Sequence, residues 1–303
     1  MKIGLRRNMS RLKGFTLTEI LVAVLIMAIV AGSVMMLGNT FFKHFEQANE
    51  ITIAKDRATM VLTYLERRIL HTGLGMPASA DDFVDGFAGL LTGDLDGWDL
   101  PLDSPENNSA STTLKIAYAL PSGVYSIESA DIGTTTSVVR ISKTLDAGNF
   151  IFSDSSTKGW VVFPSVTKRT TELTPSALRI TAVDNTSGSE SVNLQSKTDN
   201  YFLPANDELF YVRFMEATVD DGKFKIKEHT LGGGFQPVVE GIIGCNFTLD
   251  ENKVLTVSIL ARGNKKYSST VSPANISEWD GVVDNESRKY YLVVVNKGWR
   301  IRN

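Results

Sequence analysis

The pattern of apolar and polar positions changes character twice along the chain. No charged side chain occurs from Ile20 to Phe42, and the stretch Ile20 to Leu37 reads ILVAVLIMAIVAGSVMML, where only Ser33 is distinctly polar. As a helix rising about 1.5 Å per residue, Phe15 to Leu37 would span roughly 34 Å, enough for a hydrocarbon core of about 30 Å. From Lys43 the apolar positions become periodic. Ile51, Ala54, Ala58, Val61 and Leu65 fall at spacings of three, four, three and four, followed by Ile69 four further on, which is one face of a helix. Lys43, Glu46, Glu50, Lys55, Asp56, Arg57, Glu66, Arg67 and Arg68 supply its polar surface, and Gly73, Gly75 and Pro77 predict its end. The stripe predicts packing of this half on a sheet.

Beyond the helix, Thr72 to Leu114 contains no Lys or Arg and is frequent in Gly and Pro, so it predicts a long irregular loop or insertion. From Thr112 onward, short β-rich runs alternate with turns. They are Leu114–Leu120, Ser137–Ser142, Phe150–Ser153, Trp160–Phe163, Ala177–Val183, Glu208–Glu216, Lys223–His229, Val238–Leu249, Val254–Ala261 and Tyr290–Ile301. In Lys223-Phe-Lys-Ile-Lys227 basic and apolar residues alternate, the pattern of a half-buried antiparallel strand with its lysines in solvent. Paired with Glu208–Glu216 across Asp220-Asp221-Gly222, it predicts a hairpin. Leu231-Gly-Gly-Gly-Phe235 has no nucleotide-binding context and reads as a turn. The fold class is therefore α+β: a long N-terminal helix, half for membrane and half amphipathic, packed on a C-terminal antiparallel β-rich domain.

Composition sharpens this picture at the N-terminus. The 303 residues carry 31 basic and 34 acidic side chains, a net charge of −3. Five of the cations, Lys2, Arg6, Arg7, Arg11 and Lys13, lie in the first 14 residues, which hold no acid. Cations on the N-terminal side of an apolar run stay in the cytoplasm, which places the body outside it. If the first 14 residues are removed, 26 basic and 34 acidic groups remain, a balance of −8 over 289 residues. No bulk nucleic-acid interface is implied by such a balance. Cys245 is the single cysteine, so the chain forms no internal disulfide and no Cys-rich zinc site; it reads as a buried thiol in a strand. The histidines His44, His71 and His229 form no His-x-x-x-His pair, and no Gly-x-Ser-x-Gly or His-Glu-x-x-His motif occurs. An enzyme tethered by the helix is thus disfavoured. Asp94-Leu-Asp96-Gly97-Trp98-Asp99 raises a weak calcium candidate at Asp94, Asp96 and Asp99. Its Gly comes too early for an EF-hand loop and no Glu closes it, so a solvated acidic loop is preferred and no metal or other cofactor is assigned.

The apolar run is too long for the h-region of a cleaved secretory signal, about 7–15 residues, and Ile29 to Ala31 makes a poor cleavage site. A plain signal anchor fits the length but leaves Glu19 unexplained. A carboxylate in hydrocarbon costs at least about 2–3 kcal/mol and calls for a partner. No basic residue lies within one turn C-terminal to it, and the candidate Lys13 lies across Gly14 on the leader side. Cleavage after Gly14 would create one: a free α-amine on Phe15, with an ordinary pKa near 7.7–8.0. At about 4 Å and an effective dielectric of about 20 the pair attracts by roughly 4 kcal/mol. Formed between neighbouring chains, it would set an axial register between packed helices.

Lys13-Gly14-Phe15-Thr16-Leu17-Thr18-Glu19, followed by the apolar run, resembles the type IV prepilin signal. The resemblance implies cleavage between Gly14 and Phe15 by prepilin peptidase, N-methylation of Phe15, and Glu19 as the assembly carboxylate. It implies residues 1–14 as leader, 15–42 as membrane and filament-core helix, 43–72 as amphipathic helix, 73–113 as the acidic insertion and 114–303 as the β-rich domain. Major pilins usually carry a Pro about 22 residues into the mature chain; here that position is Met36 and the first Pro is Pro77. Pro237-Val-Val-Glu-Gly-Ile-Ile-Gly-Cys-Asn-Phe247, Val254-Leu-Thr-Val-Ser-Ile-Leu-Ala-Arg262, the ending Tyr290 to Arg302-Asn303, and Leu65-Glu-Arg-Arg-Ile-Leu-His-Thr-Gly-Leu-Gly75 are similar to segments of PilW-like minor pilins. That likeness implies a minor pilin of a type IV pilus, held in the inner membrane as a single-pass precursor with a periplasmic body. It would then pass into the filament at the tip and reach the cell surface, priming assembly. Implied partners are prepilin peptidase, other minor and major pilins, the inner-membrane assembly platform and, before assembly, membrane lipid. The minor pseudopilins of type II secretion share the layout and stand as the alternative.

Overall fold

The computed structural model describes residues 16–145, 159–164, 177–196 and 201–301. The predicted run Phe150–Ser153, like Gly14 and Phe15, lies outside them. The chain divides into two units, Met1–Asn49 and Glu50–Asn303.

The first unit is built on the leading part of α1 (Leu17–Leu70), a helix of 54 residues. Every large apolar side chain from Leu17 to Phe45 is more than half exposed. A helix apolar on all sides has no face to turn to water, and it is the one helix among the described residues long and apolar enough to cross a membrane. Its polar side chains bond within the helix: the Ser33 hydroxyl donates to the Ile29 carbonyl at 2.9 Å and the Thr40 hydroxyl to that of Met36 at 3.0 Å. α1 continues through Met36 without a break and ends at Leu70, just before the predicted glycines.

The second unit starts with the amphipathic part of α1. The body then contains α2 (Ala80–Gly86) and a set of antiparallel strands. In chain order these are β1 (Leu102–Ser104), β2 (Ser109–Ser111), β3 (Leu114–Tyr125), β4 (Ala130–Ile132) and β5 (Ser137–Arg140). Next come β6 (Gly159–Val162), β7 (Leu178–Asp184), β8 (Ser191–Ser196), β9 (Tyr201–Leu203) and β10 (Glu208–Asp220). The last are β11 (Lys223–Glu228), β12 (Gln236–Glu240), β13 (Ile242–Leu249), β14 (Val254–Arg262) and β15 (Leu292–Arg300). The larger sheet runs β1-β3-β10-β6-β7-β8-β5, with β11 and β12 continuing from the far half of β10. It turns back on itself. The Ser126–Ile141 bridge, with Ile127 N–H donating to Arg140 O at 2.9 Å and Ser142 N–H to Tyr125 O at 2.8 Å, joins the end beyond β5 to the end of β3. The smaller sheet runs β15-β14-β13-β2, and β4 pairs with β9.

The predicted stripe makes the main contact between helix and sheets. Ala54, Ala58, Val61, Leu65 and Ile69 pack with Ile116, Met215, Phe224, Phe247, Val257 and Ile259, drawn from both larger sheets. Ile51, assigned to the same stripe, is instead 38% exposed. Side chains on the helix flanks then fix its position. Glu50, 6% exposed, accepts the Lys265 N–H at 2.8 Å. Arg57 donates to the carbonyls of Arg262 at 2.7 Å and Gly263 at 3.2 Å. Glu66 accepts from Lys297 at 2.7 Å and from the Trp299 indole at 3.3 Å. At the last turn, Glu228 accepts the Tyr118 hydroxyl at 2.6 Å and lies 3.5 Å from Arg68. Burial, and then the nearby Glu228 charge, push the Tyr118 phenol well above its ordinary range, which keeps it a proton donor.

The predicted hairpin is present: Asp220 pairs with Lys223 across Asp221 and Gly222, both at positive φ (51° and 67°). The lysines of β11 are not bare in solvent, because Lys223 pairs with Glu240 at 3.1 Å, Lys225 with Asp220 at 2.5 Å, and Lys227 with Asp94. Two expectations need correction. Val238–Leu249 is not one strand. Gly241, at φ 78°, breaks it into β12 and β13, which belong to different sheets. The acidic segment after the helix is not simply irregular either. Ser79 caps α2, and Phe83, Phe87, Leu95 and Trp98 are buried against Phe214 and Trp160 in a separate aromatic core. Composition missed this because the eight acids mask four large apolar side chains that point inward.

Leu65→Ala, at a fully buried stripe position, is expected to cost about 2–5 kcal/mol. Chemical denaturation of the detergent-solubilised chain measures it, with the exposed Met60→Ala as control; equal midpoints would refute the stripe. At Gly241 an added Cβ would stand 2.5 Å from the Arg57 guanidinium, on a backbone that L side chains rarely adopt. Gly241→Ala should therefore lose roughly 1–3 kcal/mol in the same measurement.

Candidate functional site

The site begins where α1 begins. The first N–H groups of a helix have no partner within it, and a Ser or Thr before the first turn with a Glu three residues on can supply two. Thr16 and Glu19 do so. Thr16 N–H donates to Glu19 Oε2 at 2.8 Å, and Glu19 N–H donates to Thr16 Oγ1 at 3.3 Å. The Thr16 hydroxyl also donates to Glu19 Oε2 at 3.0 Å and lies 3.0 Å from the Thr18 hydroxyl. The Ile20 N–H to Thr16 O bond, at 3.2 Å, closes the first turn.

This geometry changes the account of Glu19. The carboxylate that opens the apolar run already has a local partner in the chain. Oε2 takes both bonds from Thr16, so Oε1 remains to meet a second group. Sequence reasoning did not assign Thr16. The signal was present as Thr16-Leu-Thr-Glu19, a Thr-x-x-Glu box at a helix start, but it overlaps the cleavage motif that drew the eye to Gly14 and Phe15.

Of the acidic residues raised as a calcium candidate, Asp94 has its carboxylate in an ion pair, and Asp96 and Asp99 are held by their backbone N–H groups. Asp94 pairs with Lys227 across the face of β11, and Lys227, the first cause, holds its carboxyl below the usual range. Asp99 offers its backbone N–H to Asp103 Oδ1 at 3.1 Å, and Asp103 faces Lys115 at 3.6 Å. Asp96 follows a short 3₁₀ turn, Gly93–Leu95, with its N–H bonded to Gly93 O. Among the described residues no group of three or more His, Cys, Asp or Glu side chains could hold a metal ion. Cys245 is buried, its thiol donating to Thr112 O at 3.1 Å, and burial pushes its pKa up to about 12. It is a packing residue, not a nucleophile.

Residues 9–35 match the family described as a prokaryotic N-terminal methylation motif. No curated protein and no solved structure matches the chain. The match runs from the leader, through Gly14, Phe15 and Glu19, into the exposed apolar helix. That motif indicates a type IV pilin-like or pseudopilin-like substrate of prepilin peptidase, which assembles with other pilins and whose precursor is held in the inner membrane by one helix.

Proposed function

We propose that the chain is a minor pilin of a type IV pilus, of the PilW-like kind. In this reading prepilin peptidase cuts between Gly14 and Phe15 and methylates Phe15. The apolar part of α1 then leaves lipid for the filament core, and Glu19 meets the α-amine of a neighbouring subunit. The observation that carries the reading is the register of Gly14, Phe15 and Glu19 with a helix whose apolar surface is exposed on all sides through Phe45. Such a surface needs lipid or other helices around it.

The body supports the minor and tip-proximal role. A helical shaft repeats one heterologous contact set, and a large body is most easily accommodated where nothing stacks above it. Here the second unit runs from Glu50 to Asn303. The unbroken helix at Met36 also departs from the Pro of major pilins. It suits a minor pseudopilin of type II secretion equally, which is the second reading; there the filament stays periplasmic. A structural role fits better than an enzymatic one, because the prepilin-type motif is that of a filament subunit.

Intact-mass measurement on purified surface filaments tests this directly. The expected chain begins at Phe15, carries one methyl group and is scarce beside the major subunit. Its presence only in periplasmic secretion filaments would favour the second reading. A charged residue at Gly14, such as Gly14→Glu, should block cleavage, and a chain beginning at Phe15 in that variant would refute the assigned cut. Glu19→Ala should be inserted and cleaved yet fail to support filaments; normal piliation would overturn its role. Thr16→Val removes the hydroxyl that caps α1, and is expected to weaken the first turn by about 1 kcal/mol. Hydrogen exchange at Glu19 and Ile20 would report the loss.

A further inference from the structure

The edges of the sheets in this chain are not alike. An open edge is a template for another chain, and proteins usually blunt it with short strands, bulges, proline or cover. Most edges here are blunted. β1 and β2 are three residues each, and β1 shifts register between Leu102 and Ser104. β12 carries Pro237 and meets β11 through a register shift. The far side of β5 is closed by the Ser126–Ile141 bridge.

β15 differs. It pairs with β14 over nine residues without a shift, and no proline interrupts it. Its odd-numbered residues bond toward β14, as the flanking Gly263 N–H to Tyr291 O and Ile301 N–H to Lys253 O bonds show. The even-numbered residues therefore turn their N–H and C=O groups outward. At Leu292 the outward N–H is taken by the Ser272 hydroxyl at 3.2 Å. Beyond it, the outward backbone groups of Val294, Asn296, Gly298 and Arg300 have no hydrogen-bond partner among the described residues. Both faces of this sheet are occupied. Val293, Val295 and Trp299 pack toward α1, and Trp279 lies over Gly244 on the other side, where Glu278 holds Asn296 at 3.1 Å. The edge is what remains open.

We propose that this edge receives an extended strand from a different pilin-like subunit, one that brings a carboxylate opposite Arg300. The proposal rests on the assembly reading above. The charge follows from β15 itself, which has no acid and whose two cations are Lys297, already paired with Glu66, and the exposed Arg300. A second copy of this chain fits poorly. β15 runs in the same sense as the Glu50–Leu70 stretch of α1, since Glu50 meets Lys265 beside the start of the strand and Glu66 meets Lys297 and Trp299 near its end. Antiparallel pairing of two copies would set their Glu50–Leu70 stretches end for end and put the two Glu50 junctions at opposite ends of the pair, which does not suit two chains held in one membrane. Parallel pairing in register would set Arg300 against its own copy. A foreign strand avoids both conflicts, and its backbone would supply the affinity while its alternate side chains gave selectivity.

Site-specific photo-crosslinking in the native host tests this on the full chain. The photoreactive p-benzoylphenylalanine replaces Asn296 in one strain and Ile26, in the apolar helix, in another. The expected result is a defined adduct from position 296 with one other prepilin-type chain, identified by mass. It should fall at least tenfold with Gly298→Pro, which removes an outward N–H and leaves the β14 ladder whole. Arg300→Glu should lower it as well, and this variant carries the test if Gly298→Pro melts early. An adduct at Ile26 but none at position 296 would overturn the edge proposal alone. A position-296 adduct that neither variant reduces, or one with a second copy of this chain, would overturn it too. Adducts at neither position would sink the assembly reading and this proposal with it.

Discussion

The body is organised by one apolar stripe. Ala54 and Ala58 come first and Val61, Leu65 and Ile69 follow, all fully or nearly fully buried. Both larger sheets contribute to this single core, so a helix–sheet contact does what strand pairing does in a single continuous sheet. The flanking bonds of Glu50, Arg57, Glu66 and Arg68 then choose one rotation and one axial position for the helix among those the apolar contact allows.

The same helix faces two solvents. Up to Phe42 it carries no charge beyond Glu19 and its large apolar side chains are exposed, and from Glu50 its apolar surface is a buried stripe. That change coincides with the division of the chain into two units. Glu50 sits at the junction and is itself buried, with its carboxylate on the Lys265 N–H. At the other end, Glu19 opens the apolar run and is tied to Thr16. Two carboxylates thus mark the ends of the exposed helix, each satisfied by a backbone donor. This is what a carboxylate near an apolar environment requires, since a lone charge there is costly. For Glu19 the capping box also resolves an energetic difficulty of the precursor. Before any neighbouring amine exists, the carboxylate is not without a hydrogen bond. A neighbour would then add to that partner or compete with it.

Much of the candidate site was legible in linear sequence, because cleavage and methylation signals are read as extended local segments. The matched motif at residues 9–35 was readable from the spacing of Gly14, Phe15 and Glu19 and the run behind them; the roles given to those three residues remain the proposal made above. Thr16 was legible by the same means and was passed over. The hairpin at Asp221-Gly222 was readable because positive φ at both central residues demands such a pair. The strand break at Gly241 was not, because a glycine in an apolar run signals equally a bulge, a close approach or nothing. Here the cause is the Arg57 side chain, which is remote in sequence. The acidic segment misled for a related reason: charge count describes what faces water, and Phe83, Phe87 and Trp98 do not.

The sequence by itself determined the apolar helix, its amphipathic continuation, the acid at its start and the α+β class. Each depends on periodicity or on neighbours within one helical turn. Tertiary structure alone decided how the strands divide between two larger sheets, that Asp94 pairs with Lys227, and that the edge of β15 stays open. Those outcomes depend on which distant groups meet. Backbone hydrogen bonds and ion pairs between remote segments carry no periodicity that a linear reading could detect.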